Sequence, residues 1–444
     1  MTSTDRATKI NLLDFHSPQM RAFHMAWFAF FLCFFGWFGI APLMPIIRDE
    51  LHLSKAQIGN SIIASVAITV LARLLIGWMC DRFGPRRSYT VLLLIGSLPV
   101  MGVGLAHSYG SFLLFRLAIG MIGASFVITQ FHTTIMFAPK IVGTANATAA
   151  GWGNLGGGVT QMVMPMIFGG FLSMGLAAWA SWRLSMVVCG CALLLMGIAY
   201  FFLTQDTPAG DWKDRPKATR TNANKAFGEA LKDGRVWALA LIYGSCFGIE
   251  LTIDNVAALY FVDNFKLKLA AAGIVASSFG MMNLFARALG GYASDKANGR
   301  WGLKGRSTLL GCTLFCEGLA LIVFSRQHLL VLAIATMMLT GLFVKMSNGV
   351  TYSLTPFINP KAVGAVAGIV GAGGNIGAVL AGFLFKTSSI TWPEAITILG
   401  VLVAAISSLS LLIRFPASAE TRVPETSPRA PASGLSDAPA GLGA

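Results

Sequence analysis

The chain has 444 residues, 55% of them hydrophobic and only 12% charged, with a mean hydropathy of +0.68. Soluble domains carry about 25% charged residues, so the composition excludes an ordinary soluble enzyme and indicates a chain running through lipid. The formal net charge of +14 does not signify nucleic-acid binding, because most basic residues lie in short loops between apolar runs, where they orient a membrane protein.

In chain order, a polar segment over 1–21 precedes an apolar run too long for a cleaved leader. Twelve runs follow, near 22–44, 57–79, 88–106, 112–137, 144–172, 184–204, 236–262, 271–294, 308–325, 329–350, 363–385 and 393–415. Crossing a bilayer takes about 20 apolar residues as a helix. Continuous runs rather than alternating ones predict helices, not a barrel. The polar, basic stretch 205–235 separates six spans from six. The tail over 416–444 is rich in Pro, Ala, Ser and Gly and reads as disordered. The predicted organisation is an N-terminal segment (1–21), an N-terminal six-helix bundle (22–204), a linker (205–235), a C-terminal six-helix bundle (236–415) and the tail. Most Lys and Arg fall in loops on the side shared by the two termini, which predicts both termini in the cytoplasm. The seven cysteines are scattered through apolar runs and read as small core residues.

The two halves repeat each other. LARLLIGWMCDRFGPRR surrounds Arg73, and FARALGGYASDKANGR surrounds Arg287. The step from Arg73 to Asp81 equals that from Arg287 to Asp295, with Gly77 and Gly291 at matching places. AAGWGNLGGGVTQ, with Asn154, falls on the fifth span of the first half, and GAGGNIGAVLAG, with Asn375, on the fifth span of the second. Two blocks in matching order predict duplicated six-helix halves.

Ionised groups inside a span are costly and call for a function. Arg73 precedes the loop aspartate by eight residues, about 12 Å of helix, and so reaches mid-depth, as does Arg287. A guanidinium stays charged and offers a flat fork of donors to two oxygens at once, which suits a planar oxyanion. Asn154 and Asn375 add amides within glycine-rich helices. They serve either a packing seam or the anion, with Gly151, Gly153, Gly156, Gly157, Gly371, Gly373, Gly374 and Gly377 allowing close helix approach. Glu250 and Asp254 share one face of the seventh span; they carry protons or form a static bridge to Arg287 or Lys345. His132 is a proton or anion ligand, or a satisfied core histidine. Trp37, Phe35 and Phe131 are candidate aromatic walls. Lys345 and Glu317 are further intramembrane charges without an assigned role. The six histidines are dispersed, and neither a phosphate loop nor a haem motif occurs, so no metal, cofactor or enzymatic chemistry is expected.

The pattern Gly77-x-x-x-Asp81-Arg82-x-Gly84-x-Arg86-Arg87 resembles the major facilitator signature between helices two and three. The blocks around Asn154 and Asn375 resemble the paired nitrate signatures of the nitrate/nitrite porter family. FFLCFFGWFGIAPLMP and ELTIDNVAALYFVDNF are similar to its proton-coupled, assimilatory-like branch. The resemblance covers nearly all of 20–415. It implies an all-α membrane protein of twelve transmembrane helices in two pseudo-symmetric six-helix bundles, the major facilitator fold. It implies a multi-pass monomer of a bacterial inner membrane that carries nitrate or nitrite, with protons and the lipid bilayer as its other partners. It also implies that Arg73, Arg287 and Asn154 contact substrate, with Asn375 as symmetry mate. Asp81, with Arg82, Arg86, Arg87 and Asp295, would act in gating. Arg116, opening an Arg-x-x-x-Gly120 motif, would act in gating or helix pairing. The exchanger branch has an aromatic contact in the seventh helix, where Ile253 stands here. Moving one anion inward against 100 mV costs about 2.3 kcal/mol; co-transported protons or exchange for nitrite would meet that cost, and the intramembrane carboxylates favour protons.

Overall fold

The computed structural model describes residues 6–138, 141–211, 223–359 and 363–415. The tail and the middle of the linker lie outside the described residues. Helices follow one another as α1 (Pro18–Phe38), α2 (Met44–Leu51), α3 (Lys55–Phe83), α4 (Pro85–Gly102), α5 (Tyr109–Ile119), α6 (Ser125–Met136), α7 (Val142–Ser173) and α8 (Ala178–Leu203). After a short linker helix α9 (Ala223–Lys232) come α10 (Gly234–Phe265), α11 (Leu269–Met281), α12 (Ala286–Ser325), α13 (Leu330–Ile358), α14 (Val363–Lys386) and α15 (Trp392–Ile406). The linker is therefore partly helical, a feature its polar composition did not announce.

Among the described residues, 11 helical stretches are long and apolar enough to cross a membrane. One of them, Leu269–Ser325, runs for 57 residues, which as a straight helix would be about 86 Å, far beyond one bilayer. It is two crossings. At Gly302 the backbone takes φ 62° and ψ −159°, a region essentially closed to other residues. Arg306 then reaches back to Asp295 Oδ1 at 2.7 Å and to Ser294 Oγ at 3.1 Å. The matching turn of the first half sits at Gly84, with φ 85° and ψ 162°. The signature glycine and Gly302 thus do the same work: each reverses the chain between the second and third crossing of its half.

Packing repeats along with the turns. In the first half α1 packs on α7 and α4 on α8; in the second α10 packs on α14 and the later limb of α12 on α15. Between the halves α3 meets α14, and α7 meets α11. The glycines make these approaches possible. A Cβ at Gly156 would overlap the Phe31 carbonyl and one at Gly153 the Phe30 ring, while Gly373 and Gly377 stand likewise against Ala240 and Gly244 of α10.

The halves are joined at the face opposite the termini. There Arg48 Nη1 donates to both Asp263 oxygens at 2.9 and 3.0 Å and Lys55 bonds the Ile390 carbonyl; midway along α7, Gly158 abuts Gly280. Contact between α3 and α14 continues through Gly59 with Lys386 and Ile63 with Gly382 down to Arg73 with Gly371. One turn further along the faces of the two arginines, Cβ atoms added at Gly77 or Gly291 would meet nothing within 4 Å. The halves part beyond the arginines, toward the terminal face.

Candidate functional site

Arg73 projects from α3 at that parting line. Its Nη1 donates to the Gly371 carbonyl of the other half at 3.0 Å, and its guanidinium lies 5.5 Å from the Phe126 ring centroid. Nε makes no hydrogen bond, and Arg73 forms no ion pair among the described residues. The side chain is only partly buried, with Nε shut off from water, and a cation inside a span is normally matched by an anion.

From Arg73 a chain of rings leads to the second arginine. Phe126 stands edge-on to Tyr352 at 6.2 Å, Tyr352 edge-on to Tyr243 at 5.0 Å, and Tyr243 stacks on Phe247 at 5.0 Å. Phe247 lies 5.8 Å beneath the Arg287 guanidinium. The Tyr352 phenol is within electrostatic reach of both guanidinium groups, and its hydroxyl makes no hydrogen bond. Gly374 leaves room for the Tyr243 and Phe247 rings, and Gly371 for the Tyr352 hydroxyl. Trp37 is not part of this bridge. Trp37 is buried elsewhere, its Nε1 donating to the Ser65 carbonyl at 3.0 Å. The missing aromatic at Ile253 is answered about two and three turns earlier on the same helix, by Phe247 and Tyr243.

Arg287 is differently held. The helix is interrupted just before it by a 3-10 turn over Met282–Leu284 and a non-helical Phe285, whereas α3 runs unbroken past Arg73. Arg287 Nη2 donates to Glu250 Oε2 at 2.8 Å, and its Nε is unbonded. Glu250 is a hub. It also accepts from Asn283 at 2.9 Å and Asn348 at 2.5 Å, and Lys345 Nζ stands 2.6 Å from its Oε1. Asp254, three helical turns along α10 from Tyr243, lies at the seam between halves. Its Oδ1 has no hydrogen-bond partner, and only its backbone carbonyl is engaged, by Gln161 at 2.5 Å. A Cβ on Gly157 would lie 3.4 Å from its Oδ2.

Asn154 and Asn375 have matching local geometry. Each is buried, each donates to the carbonyl four residues back, Ala150 at 2.9 Å and Gly371 at 3.5 Å, and each leaves Oδ1 unbonded. Asn375 therefore shares the Gly371 carbonyl with Arg73. Gly151 brings α7 within reach of the Asn283 carbonyl, to which a Cβ would stand at 3.1 Å.

Other sequence candidates fall outside this cluster. His132 is buried in the first half with both ring nitrogens engaged, by Tyr200 Oη at 2.6 Å and the Gln205 carbonyl at 2.9 Å; it ties α6 to α8 and the linker. Arg116 is fully buried and bridges the halves, bonding the Trp37 carbonyl at 3.4 Å, Ser65 Oγ at 3.2 Å and Asn255 Oδ1 at 3.1 Å. Arg86 holds the linker through Asp211 at 2.9 Å, and its amide donates to Asp206 at 2.8 Å. Arg82 lies over the Phe83 ring at 5.6 Å, and Arg87 is partly exposed beside it. Asp295, largely exposed, pairs with Arg306. The Asp81 side chain lies outside the described residues.

Crossing helices duplicated about a central polar seam, with buried cations facing an aromatic bridge, define a secondary carrier rather than an enzyme. Residues 26–310 match the family model of the Major Facilitator Superfamily. The fold is shared with a bacterial homolog of the human lysosomal transporter Spinster in its inward-facing, occupied conformation, at a TM-score of 0.70 and 17% identity over 89% of this chain and 97% of that one. The nucleoside transporter NupG superposes with a TM-score of 0.66 at 15% identity, covering 88% of this chain and 99% of that chain.

Within that superfamily the chain belongs to the nitrate/nitrite porter family. It is 40% identical to the high affinity nitrate transporter 2.5 of Arabidopsis thaliana, over 93% of this chain and 83% of that protein. It is 36% identical to nitrate transporter 2.1 of Chlamydomonas reinhardtii, over 94% and 78%. The nitrate/nitrite transporter NrtP of Nostoc punctiforme is 29% identical, over 82% and 86%.

Proposed function

We propose that the protein imports nitrate, with nitrite as a second cargo, by alternating access and proton symport, the anion held between Arg73 and Arg287. The supporting observation is Arg73 itself: a partly buried guanidinium inside a span, facing an aromatic ring and a backbone carbonyl, with no carboxylate among the described residues to match its charge. A flat monoanion supplies the counter-charge, two oxygens for a guanidinium fork and a face that lies against Phe126 and Tyr352. Nitrate is the cargo named for the relatives of this chain. Asn154 and Asn375 each keep a second amide hydrogen for the anion.

Loop charge favours cytoplasmic termini in a bacterial inner membrane, which makes the Arg48–Asp263 face the outer one and the present state inward-facing. In this reading Asp81, Arg82, Arg86, Arg87, Asp295 and Arg116 govern closure, and one chain suffices. Between the two buried carboxylates of α10, Asp254 suits a proton carrier, since it lies at the moving seam and its Oδ1 has no partner among the described residues. Glu250, held by three hydrogen-bond donors and the Lys345 ammonium, suits a fixed counter-ion. That engagement of Glu250 also favours a second reading, exchange of nitrate for nitrite without protons.

Purified protein in liposomes distinguishes the two. Labelled nitrate uptake should follow an imposed inward pH gradient without internal nitrite, and Asp254→Asn should abolish that uptake while sparing nitrate counterflow. Uptake that ignores the gradient and needs internal nitrite would establish exchange instead.

A further inference from the structure

The later limb of α12 carries Glu317, fully buried, with neither carboxylate oxygen in a hydrogen bond. The groups facing it come from two neighbouring helices. α13 presents Lys345 and Ser347, and α10 presents Glu250 and Cys246, with Asp254 one turn beyond Glu250. α15 packs there through Gly400 and Ala404, and its one ionisable side chain, Glu394, caps its distant start.

Lys345 is the cation between two acids. Its Nζ is close to Glu250 but is not aligned for a hydrogen bond, and it rests 4.4 Å from the Phe279 ring centroid. Glu250 already takes aligned bonds from Asn283, Arg287 and Asn348. The ammonium thus pairs with an acid already well supplied with donors, near an acid that has only the Ser347 hydroxyl beside it. A buried carboxylate without a counter-ion is far costlier than a neutral acid, so Glu317 needs either a proton or Lys345.

We propose that Glu317 is a second proton-carrying residue of the transport cycle, exchanging Lys345 with Glu250 as the anion comes and goes. This deepens the symport reading and rests on it. With an anion on Arg287, Glu250 loses its arginine and keeps Lys345, and Glu317 holds a proton. When the anion leaves, Arg287 returns to Glu250, Lys345 turns to Glu317, and the Glu317 O–H bond breaks to release one proton to water. One proton therefore accompanies one anion through this residue.

The test counts protons per nitrate in liposomes, with an entrapped pH dye and a nitrate electrode, for wild type, Glu317→Gln and Glu317→Asp. Glu317→Gln should bind nitrate and support counterflow but move about one proton fewer per nitrate. Glu317→Asp should keep the wild-type ratio with a shifted pH profile. A Glu317→Gln protein with the wild-type ratio and pH profile overturns the proposal. If Glu317→Gln does not fold, the aspartate variant decides, an unshifted profile overturning it. A wild type that moves no protons overturns the symport reading itself, a distinguishable result.

Discussion

At the scale of single residues, the site opposes two arginines of unequal commitment. Arg287 is neutralised through Glu250, and among the described residues Arg73 meets only a carbonyl and a ring. Arg73→Lys keeps the charge and loses the fork. A charge-assisted hydrogen bond is worth about 1.5–3 kcal/mol, so nitrate affinity should fall by roughly ten- to hundredfold, with little change in thermal stability. Near-normal affinity by direct binding would mean the anion is held as a point charge and not bidentately. Removing the hub has the opposite signature. Glu250→Gln strands Arg287 and Lys345 without their buried counter-charge, a loss of about 3–5 kcal/mol, and should appear first as a lowered melting temperature in detergent. The arginines and asparagines were legible because they repeat in register. The aromatic bridge was not, although part of it was written in plain helical spacing: Tyr243, Phe247, Glu250 and Asp254 fall on one stripe of α10, as Lys345, Asn348 and Tyr352 do on α13. A ring in an apolar span carries no contrast with its neighbours, so only the polar members of each stripe stood out.

At the scale of elements, the glycine signatures act through backbone contact. Gly156 and Gly377 occupy equivalent places, one against α1 and the other against α10. Gly156→Val or Gly377→Val inserts atoms where a carbonyl already stands, and overpacking of this kind costs about 1–3 kcal/mol. Folded yield and melting temperature should drop for both. Gly169→Val, at a position where a Cβ meets nothing within 4 Å, should behave as wild type; equal damage at all three positions would make the effect one of helix propensity. Most span boundaries were readable from hydropathy. The interruption at Met282–Phe285 and the linker helix α9 were not, because neither changes the local balance of apolar and polar residues. The turn at Gly302 was hidden in a different way: its partner Gly84 sits inside a recognisable motif, whereas the second copy, SDKANGR, has drifted from it.

At the scale of the whole molecule, duplication has produced matching scaffolds with different chemistry. Both halves supply an arginine, an asparagine and a glycine turn. The buried carboxylates Glu250, Asp254 and Glu317, with Lys345, all belong to the second half. Proton coupling in the proposed cycle is therefore a property of one bundle, and cargo charge a property of both. Two protons per nitrate would make entry electrogenic. Planar-membrane or oocyte recordings should then show an inward positive current on adding nitrate, growing as the interior is made more negative; a current of opposite sign would point to unaccompanied anion movement.

The bond from Arg73 to the Gly371 carbonyl ties the halves at the line where they part, and it uses a donor that an anion at the proposed site would claim. In the proposed cycle, cargo and scaffold would thus compete for one N–H. Such competition would let the anion loosen the joint it must pass, and an unladen protein would keep that joint fastened.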